Sequence, residues 1–260
     1  MRLALAQLDL TFEDKLMNRE TALQFIKQAT SEKVDIILFP EMTLTGFSMN
    51  TTLIGENHNE TVEFFKEISS KFNIIIGFGY VEGTSSSKNK YSIVTPRDGE
   101  LANYSKIHLF SFASEADFYK GGTKINLFTA FDFTICPFIC YDLRFPEIFQ
   151  IASKTASLIT VAANWPIERR KHWITLLKAR AIENQCFIAG INRVGEGNGL
   201  NYSGDSMIID PLGNIISSLY MQEGLVIADI NPLDVTSIRG GFRLKEDRKE
   251  ALYYNIFSDN

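Results

Sequence analysis

The chain has 260 residues, 45% of them apolar, enough for one substantial core and typical of α/β folds that form a single domain. A net charge of −5 with no concentration of Lys and Arg speaks against nucleic-acid binding, and no apolar run approaches the roughly 20 residues that span a bilayer. Three cysteines, an odd and low number, point to reduced thiols in a cytoplasm; Met1-Arg2 leads straight into a strand-like run with no secretory signal.

In chain order, residues 3–8 read as the first strand. Asp14 caps a helix running to about Ala29, with Ala22, Leu23, Ile26 and Ala29 on its inner face. Residues 34–39 are a second strand, closed by Pro40 and followed by Glu41. Residues 59–71 read as a helix because Val62, Phe65 and Ile68 form one apolar stripe. Residues 73–80 are a third strand; after a polar turn at 83–90, residues 91–94 pair back antiparallel. A turn at 96–99 leads into the strand 101–106, and 114–122 is a loop rich in acids and glycine. Residues 131–139 are apolar and read as a buried strand; Pro146 and Glu147 suit the first turn of the helix beyond it. A strand at 157–162 ends in Asn164-Trp165-Pro166. The helix 170–183 turns Ile174, Leu177 and Ala181 inward, and the strand 186–191 places Cys186 in the core. Strands at 202–209, 215–218 and 225–230 are joined by turns at 210–213 and 222–224. The mixed-charge run 243–250 is a solvated tail or helix. Strand–helix alternation with extra hairpins predicts one α/β domain around a large mixed sheet.

Cys140 lies where a strand stops and a helix is about to start. Open α/β sheets bind ligands at the carboxyl ends of their strands, and a thiol placed there has the geometry of a nucleophile. A buried structural cysteine is the other reading, and this stretch alone does not separate the two. Cys136 and Cys140, four residues apart on a strand, are on the order of 13 Å apart, too far for a disulfide. Glu41 follows the apolar run ending at Phe39, and Lys106 ends the strand from Leu101. If those strands are neighbours pointing the same way, Glu41, Lys106 and Cys140 meet on one sheet edge. Together they suit acyl transfer: the carboxylate takes the thiol proton, the thiolate attacks a carbonyl or nitrile carbon, and the ammonium meets the developing negative charge. For Glu41 and Lys106 the alternative is a surface salt bridge.

Other residues leave two readings each. Arg144 pairs with a substrate carboxylate or with a structural one such as Asp142 or Glu147. Asn164 and Trp165 line a pocket or serve the core and its turn. His108 and His172 are read as structural, and no His/Cys/Asp spacing suggests a metal site. The glycine-rich stretch 195–199 lacks a following helix and is read as a plain flexible loop, not a phosphate site.

Phe39-Pro40-Glu41, Tyr104-Ser105-Lys106-Ile107-His108-Leu109-Phe110 and Cys140-Tyr141-Asp142-Leu143-Arg144-Phe145-Pro146-Glu147 resemble the three catalytic motifs of the nitrilase superfamily, the carbon–nitrogen hydrolases. Asn164-Trp165-Pro166, His172-Trp173, Ala179-Arg180-Ala181-Ile182-Glu183-Asn184 and Asn192-Arg193-Val194-Gly195 are also similar to that family, and the resemblance extends to about Tyr254. It implies a four-layer α-β-β-α sandwich, a single domain over residues 1–260 with 240–260 as a C-terminal tail. It implies Glu41 as general base, Lys106 as oxyanion stabiliser and Cys140 as a nucleophile that forms a thioester. The Tyr141 amide is then a second oxyanion donor, and Glu115 matches a further glutamate that positions the lysine or assists proton transfer. No cofactor is implied. The assembly expected is a homodimer with helices such as 170–183 in the contact. Within the superfamily the chain most resembles the Nit2-like ω-amidases, especially their bacterial members, which act on 2-oxoglutaramate and related ω-amides of keto acids. Another branch, a deaminated-glutathione amidase, an N-carbamoyl hydrolase or a nitrilase, shares the triad. From different classes, a non-catalytic binding module and a redox-sensing role for Cys140 remain as alternatives.

Overall fold

In the computed structural model, which describes residues 1–258, the apolar runs become strands buried on both faces. The first half of the chain forms β1 (Arg2–Gln7), α1 (Lys15–Ser31), β2 (Ile36–Leu38), α2 (Thr51–Ile54), α3 (Glu60–Phe72), β3 (Ile75–Glu82), β4 (Lys88–Thr95) and β5 (Gly99–Ser105). The second half forms β6 (Phe128–Ala130), β7 (Phe133–Ile139), α4 (Pro146–Ala152), β8 (Leu158–Ala163), α5 (Arg170–Asn184), β9 (Phe187–Asn192), β10 (Val194–Gly197), β11 (Leu200–Ile209), β12 (Ile215–Tyr220), β13 (Gly224–Asp229), α6 (Pro232–Gly241) and α7 (Glu250–Ser258).

These strands build two sheets, where the sequence pattern led us to expect one. The first has the order β13-β1-β2-β3-β4-β5; the second has β10-β11-β9-β8-β7-β6, with β12 paired to β11. Each has three parallel strands at its heart, β1 to β3 and β7 to β9, and antiparallel strands outside them. The chain leaves the first sheet after β5, builds the second, and returns to pair β13 with β1, Arg2 opposite Asp229. Strands buried on both faces look alike whichever sheet they join, so periodicity could not count the sheets.

The layers follow from the alternation of side chains along each strand. On β1, Leu3 and Leu5 join a core with Ile139, Ala162 and Ile191 of the second sheet. Ala4 and Ala6 join a separate core with Ala22 and Ile26 of α1 and Val62 and Phe65 of α3. Phe149 of α4 and Trp173, Leu177 and Ala181 of α5 cover the far face of the second sheet. The order is therefore helix, sheet, sheet, helix, the four-layer sandwich the motifs implied.

Local chemistry sets the element ends. The Asp14 carboxylate accepts from the Leu16 and Met17 amides and caps α1. The buried face of α1 includes Asn18 as well as Ala22, Ile26 and Ala29, because the Asn18 amide donates to the Thr11 and Leu44 carbonyls; Leu23 is half-buried. Pro146 opens α4. Phe131 is not in the central strand: with Asp132 it forms the β6–β7 turn, at φ +49° and +64°. The stretch read as a plain loop at 195–199 is largely β10, paired antiparallel with β11. Its Gly195, at φ +85°, is required because a Cβ there would meet the Asp9 carboxylate at 2.2 Å. After α6, Lys245 donates to Ser153 at 2.6 Å and Gln185 to the Phe242 carbonyl at 2.8 Å, before α7 begins. Among the described residues no helix is long and apolar enough to cross a membrane.

Candidate active site

Glu41, Lys106 and Cys140 do converge, but not on one sheet edge. Glu41 follows β2 and Lys106 follows β5, three strands across the first sheet and running the same way. Cys140 follows β7 of the second sheet. The face-to-face stacking of the two sheets, rather than pairing within one, brings the thiol to the other two.

Cys140 sits on a sharp elbow. It takes φ +45° and starts a 3₁₀ turn, Cys140–Arg144, that links β7 to α4. For a residue with a Cβ this conformation costs about 1–3 kcal/mol and persists only where surrounding contacts impose it. Asp142, fully buried, supplies them. Its carboxylate accepts from the Ile139 amide at 3.1 Å, the Tyr104 hydroxyl at 2.7 Å and the His108 amide at 2.9 Å, and lies 2.8 Å from His108 Nδ1. The elbow is thus tied to the segment that carries Lys106.

Glu41 is positioned by close backbone approach. The Phe39 amide donates to the Gly77 carbonyl, Tyr91 Oη donates to the Phe39 carbonyl, and the Thr43 amide donates to Gly79. Gly79 has no Cβ where one would lie 2.3 Å from the Met42 nitrogen and 2.9 Å from Glu41. The Asn164 amide donates to Glu41 Oε2 at 3.0 Å, and its side chain to the Glu41 carbonyl at 2.7 Å. Asn164 therefore borders the pocket and also holds the base in place.

The charges form one buried cluster. Lys106 Nζ lies 3.1 Å from Glu41 Oε1 and 2.9 Å from both Glu115 oxygens. Glu115 also accepts from the Phe110 amide at 2.6 Å. Asn89 donates to Glu41 at 2.7 Å and to Glu115 at 3.3 Å. All four side chains are buried. Burial pushes the Lys106 ammonium toward losing its proton, but Glu41 and Glu115 outweigh burial and hold it charged. Cys140 is half-buried as a residue, yet its thiol is pushed well above the ordinary range. Burial is the largest cause, and Glu41 adds both charge and a hydrogen bond; Lys106 opposes and Glu115 adds a smaller upward push. Two carboxylates and one ammonium leave no room for a resting thiolate.

A cavity of about 190 Å³ opens beside this cluster. Lys106, Cys140, Tyr141, Arg144, Asn164 and Trp165 line it; Glu41 and Glu115 stand behind. Arg144 holds neither Asp142 nor Glu147. Its guanidinium lies over Trp165 at 4.7 Å and 3.4 Å from His172 Nδ1. Neither His108 nor His172 borders the cavity; His108 stacks on Phe145 with ring centres 3.7 Å apart.

Several residues here carried no sequence signal. Asn89 sits in a polar stretch read as a turn, and only its place between two carboxylates gives it meaning. Phe47, Phe112, Arg169 and Tyr202 also line the cavity, from segments that are remote in sequence, and Phe110 joins them from the end of the Lys106 motif.

A profile of the carbon-nitrogen hydrolase family matches residues 2–240. The ω-amidase YafV of Yersinia enterocolitica is 37% identical over 220 residues, 83% of either chain. The 2-oxoglutaramate amidase of Bacillus subtilis is 31% identical over 252 residues, 95% of this chain and 97% of that one. The crystal structure of XC1258 from Xanthomonas campestris, described as a CN-hydrolase superfamily protein with an arsenic adduct in its active site, superimposes with a TM-score of 0.89 at 32% identity. It covers 96% of this chain and 97% of that one. On these grounds the chain belongs to the carbon-nitrogen hydrolase family of the nitrilase superfamily, as an enzyme that cleaves carbon–nitrogen bonds other than peptide bonds.

Proposed function

We propose that the protein is an ω-amidase that releases ammonia from the terminal amide of a short acid such as 2-oxoglutaramate. One observation carries the reading: a buried Glu41–Lys106–Cys140 cluster stands at a small cavity whose wall also bears the Arg144 guanidinium. Two relatives named for this activity support it.

In this reading Cys140 is the nucleophile and Glu41 the base. The thiol is neutral at rest, so its proton passes to Glu41 as Sγ attacks the amide carbon. Lys106, held as an ammonium, cannot be that base; it and the Tyr141 amide stabilise the oxyanion. Glu115 keeps Lys106 aimed. Glu41 returns the proton to the leaving nitrogen, ammonia departs, and the acyl group remains as a thioester. Water attacks the thioester with Glu41 again as base, the acid leaves, and the thiol regains its proton. Asn164 holds Glu41, Trp165 supports Arg144, and Arg144 contributes to binding the far carboxylate, which needs a cation once desolvated. The small cavity suits a five-carbon acid better than a tripeptide-sized one.

The setting proposed is a cytoplasmic homodimer of one-domain chains, 1–260, with 240–260 as the tail. Exposed Ile151, Ile182 and Leu252, on α4, α5 and α7, support a contact through that side. Sedimentation at low micromolar concentration should give twice the chain mass of 29.4 kDa; a clean monomer would sink that part. For the activity, ammonia release is measured across 2-oxoglutaramate, glutamine, N-carbamoyl amino acids, deaminated glutathione and simple nitriles. The highest kcat/KM is expected for 2-oxoglutaramate; a carbamoyl compound or nitrile in first place overturns the assignment.

A further inference from the structure

We propose that Arg169 is the specificity-determining cation of this pocket, pairing with the substrate's far carboxylate. The inference rests on the ω-amidase reading and deepens it. Three cations line the cavity: Lys106, Arg144 and Arg169. Lys106 is taken up by Glu41 and Glu115. Arg144 is partly engaged, over Trp165 and Tyr141 and against His172. Among the described residues the Arg169 guanidinium donates no hydrogen bond and has no carboxylate partner, so its donors are uncommitted in a side chain that lines the cavity.

Its placement is nonetheless fixed. The Trp165 indole donates to the Arg169 carbonyl at 2.9 Å, so the side chain that carries Arg144 also anchors the Arg169 backbone. The guanidinium lies over the rings of Phe110 and Phe112, 5.4 and 5.2 Å from their centres. Such cation–ring contacts help to hold the guanidinium in place without consuming its donors. Phe112 is 81% exposed at the cavity wall, an outlay of apolar surface that a bound substrate would partly cover. A planar fork with free donors matches a carboxylate bidentately. A 2-oxo acid presents a carboxylate and an adjacent carbonyl oxygen, which two guanidinium groups can share. The charge argument agrees, since no acidic side chain lines the cavity to cancel Arg144 and Arg169.

The test compares 2-oxoglutaramate with pentanamide, a neutral amide of the same length, on the full-length enzyme. Arg169→Ala should lower kcat/KM for 2-oxoglutaramate about 100-fold, mostly through KM, and for pentanamide at least tenfold less. Arg169→Lys should recover part of the loss, because the charge returns without the fork. Arg144→Ala should also lower kcat/KM for 2-oxoglutaramate more than for pentanamide, but by a smaller ratio than Arg169→Ala, because losing its contact with Trp165 affects both substrates. Thermal unfolding of each variant checks that the fold survives. Equal loss of Arg169→Ala on both amides, or no loss on the acid, overturns the role of Arg169 and leaves the ω-amidase reading intact. Wild-type enzyme that hydrolyses pentanamide but not 2-oxoglutaramate overturns both.

Discussion

Cys140 combines a left-handed backbone with a thiol that its neighbours keep protonated. The second feature favours a nucleophile that becomes an anion only while it attacks. Cys140→Ala should therefore lower turnover by about three orders of magnitude or more while unfolding at a similar temperature. Mass spectrometry of a quenched wild-type reaction should find the acyl group on Cys140; a Cys140→Ala protein that stays active refutes the assignment. The thiol makes a second, independent prediction. Burial raises its pKa most, and Glu41 raises it further, so thiolate absorbance at 240 nm, taken as the difference from Cys140→Ala, should be missing at pH 9. Glu41→Gln removes a negative charge, so the same titration should move to lower pH, even as the base needed for turnover is lost. A titration unmoved by Glu41→Gln would show that the two groups are not coupled.

At the level of elements, the site depends on how tightly β3 approaches the turn after β2. Gly79 allows that approach, and Phe65 of α3 stacks on Phe78 of β3 at 4.2 Å, with Phe39 5.8 Å away. An added methyl at Gly79 must displace the Glu41–Met42 backbone. Gly79→Ala should cost about 1–3 kcal/mol of stability by urea denaturation. It should also lower kcat/KM at least about tenfold, because it shifts the base relative to Cys140. Full activity with unchanged stability would mean that the turn can move without consequence.

For the whole molecule, burial of so many ionisable side chains between layers sets the response to alkali. Cys186 is pushed up to about 12 by burial, and Cys136 and Tyr91 are raised by the same cause. In the unfolded chain these thiols lose their protons near 9.0, whereas the folded chain retains them. The unfolded state then binds fewer protons, so stability must fall as pH rises from about 9 to 12. Cys186→Ala should lower the urea midpoint at every pH through its cavity but make the decline above pH 9 shallower. An identical decline in both proteins would remove Cys186 from the account.

The sequence by itself determined the local and the chemical. Capping by Asp14, the start of α4 at Pro146, the α3 stripe and the three motifs around Glu41, Lys106 and Cys140 are short-range patterns, and they were sufficient for α1, α3, α4 and α5, most strands and the family, but not for α2, α6 and α7. Tertiary structure decided what depends on residues far apart in the chain. It divided the strands between two sheets, because strands apolar on both faces carry no mark of their partner. It placed the thiol opposite, not beside, Glu41 and Lys106. It also turned Asn89 into the bridge between two carboxylates and, among the described residues, left Arg169 without a carboxylate partner at the cavity wall. Those outcomes rest on through-space distances and on which charges share a dry interior, and no periodicity along the chain encodes either.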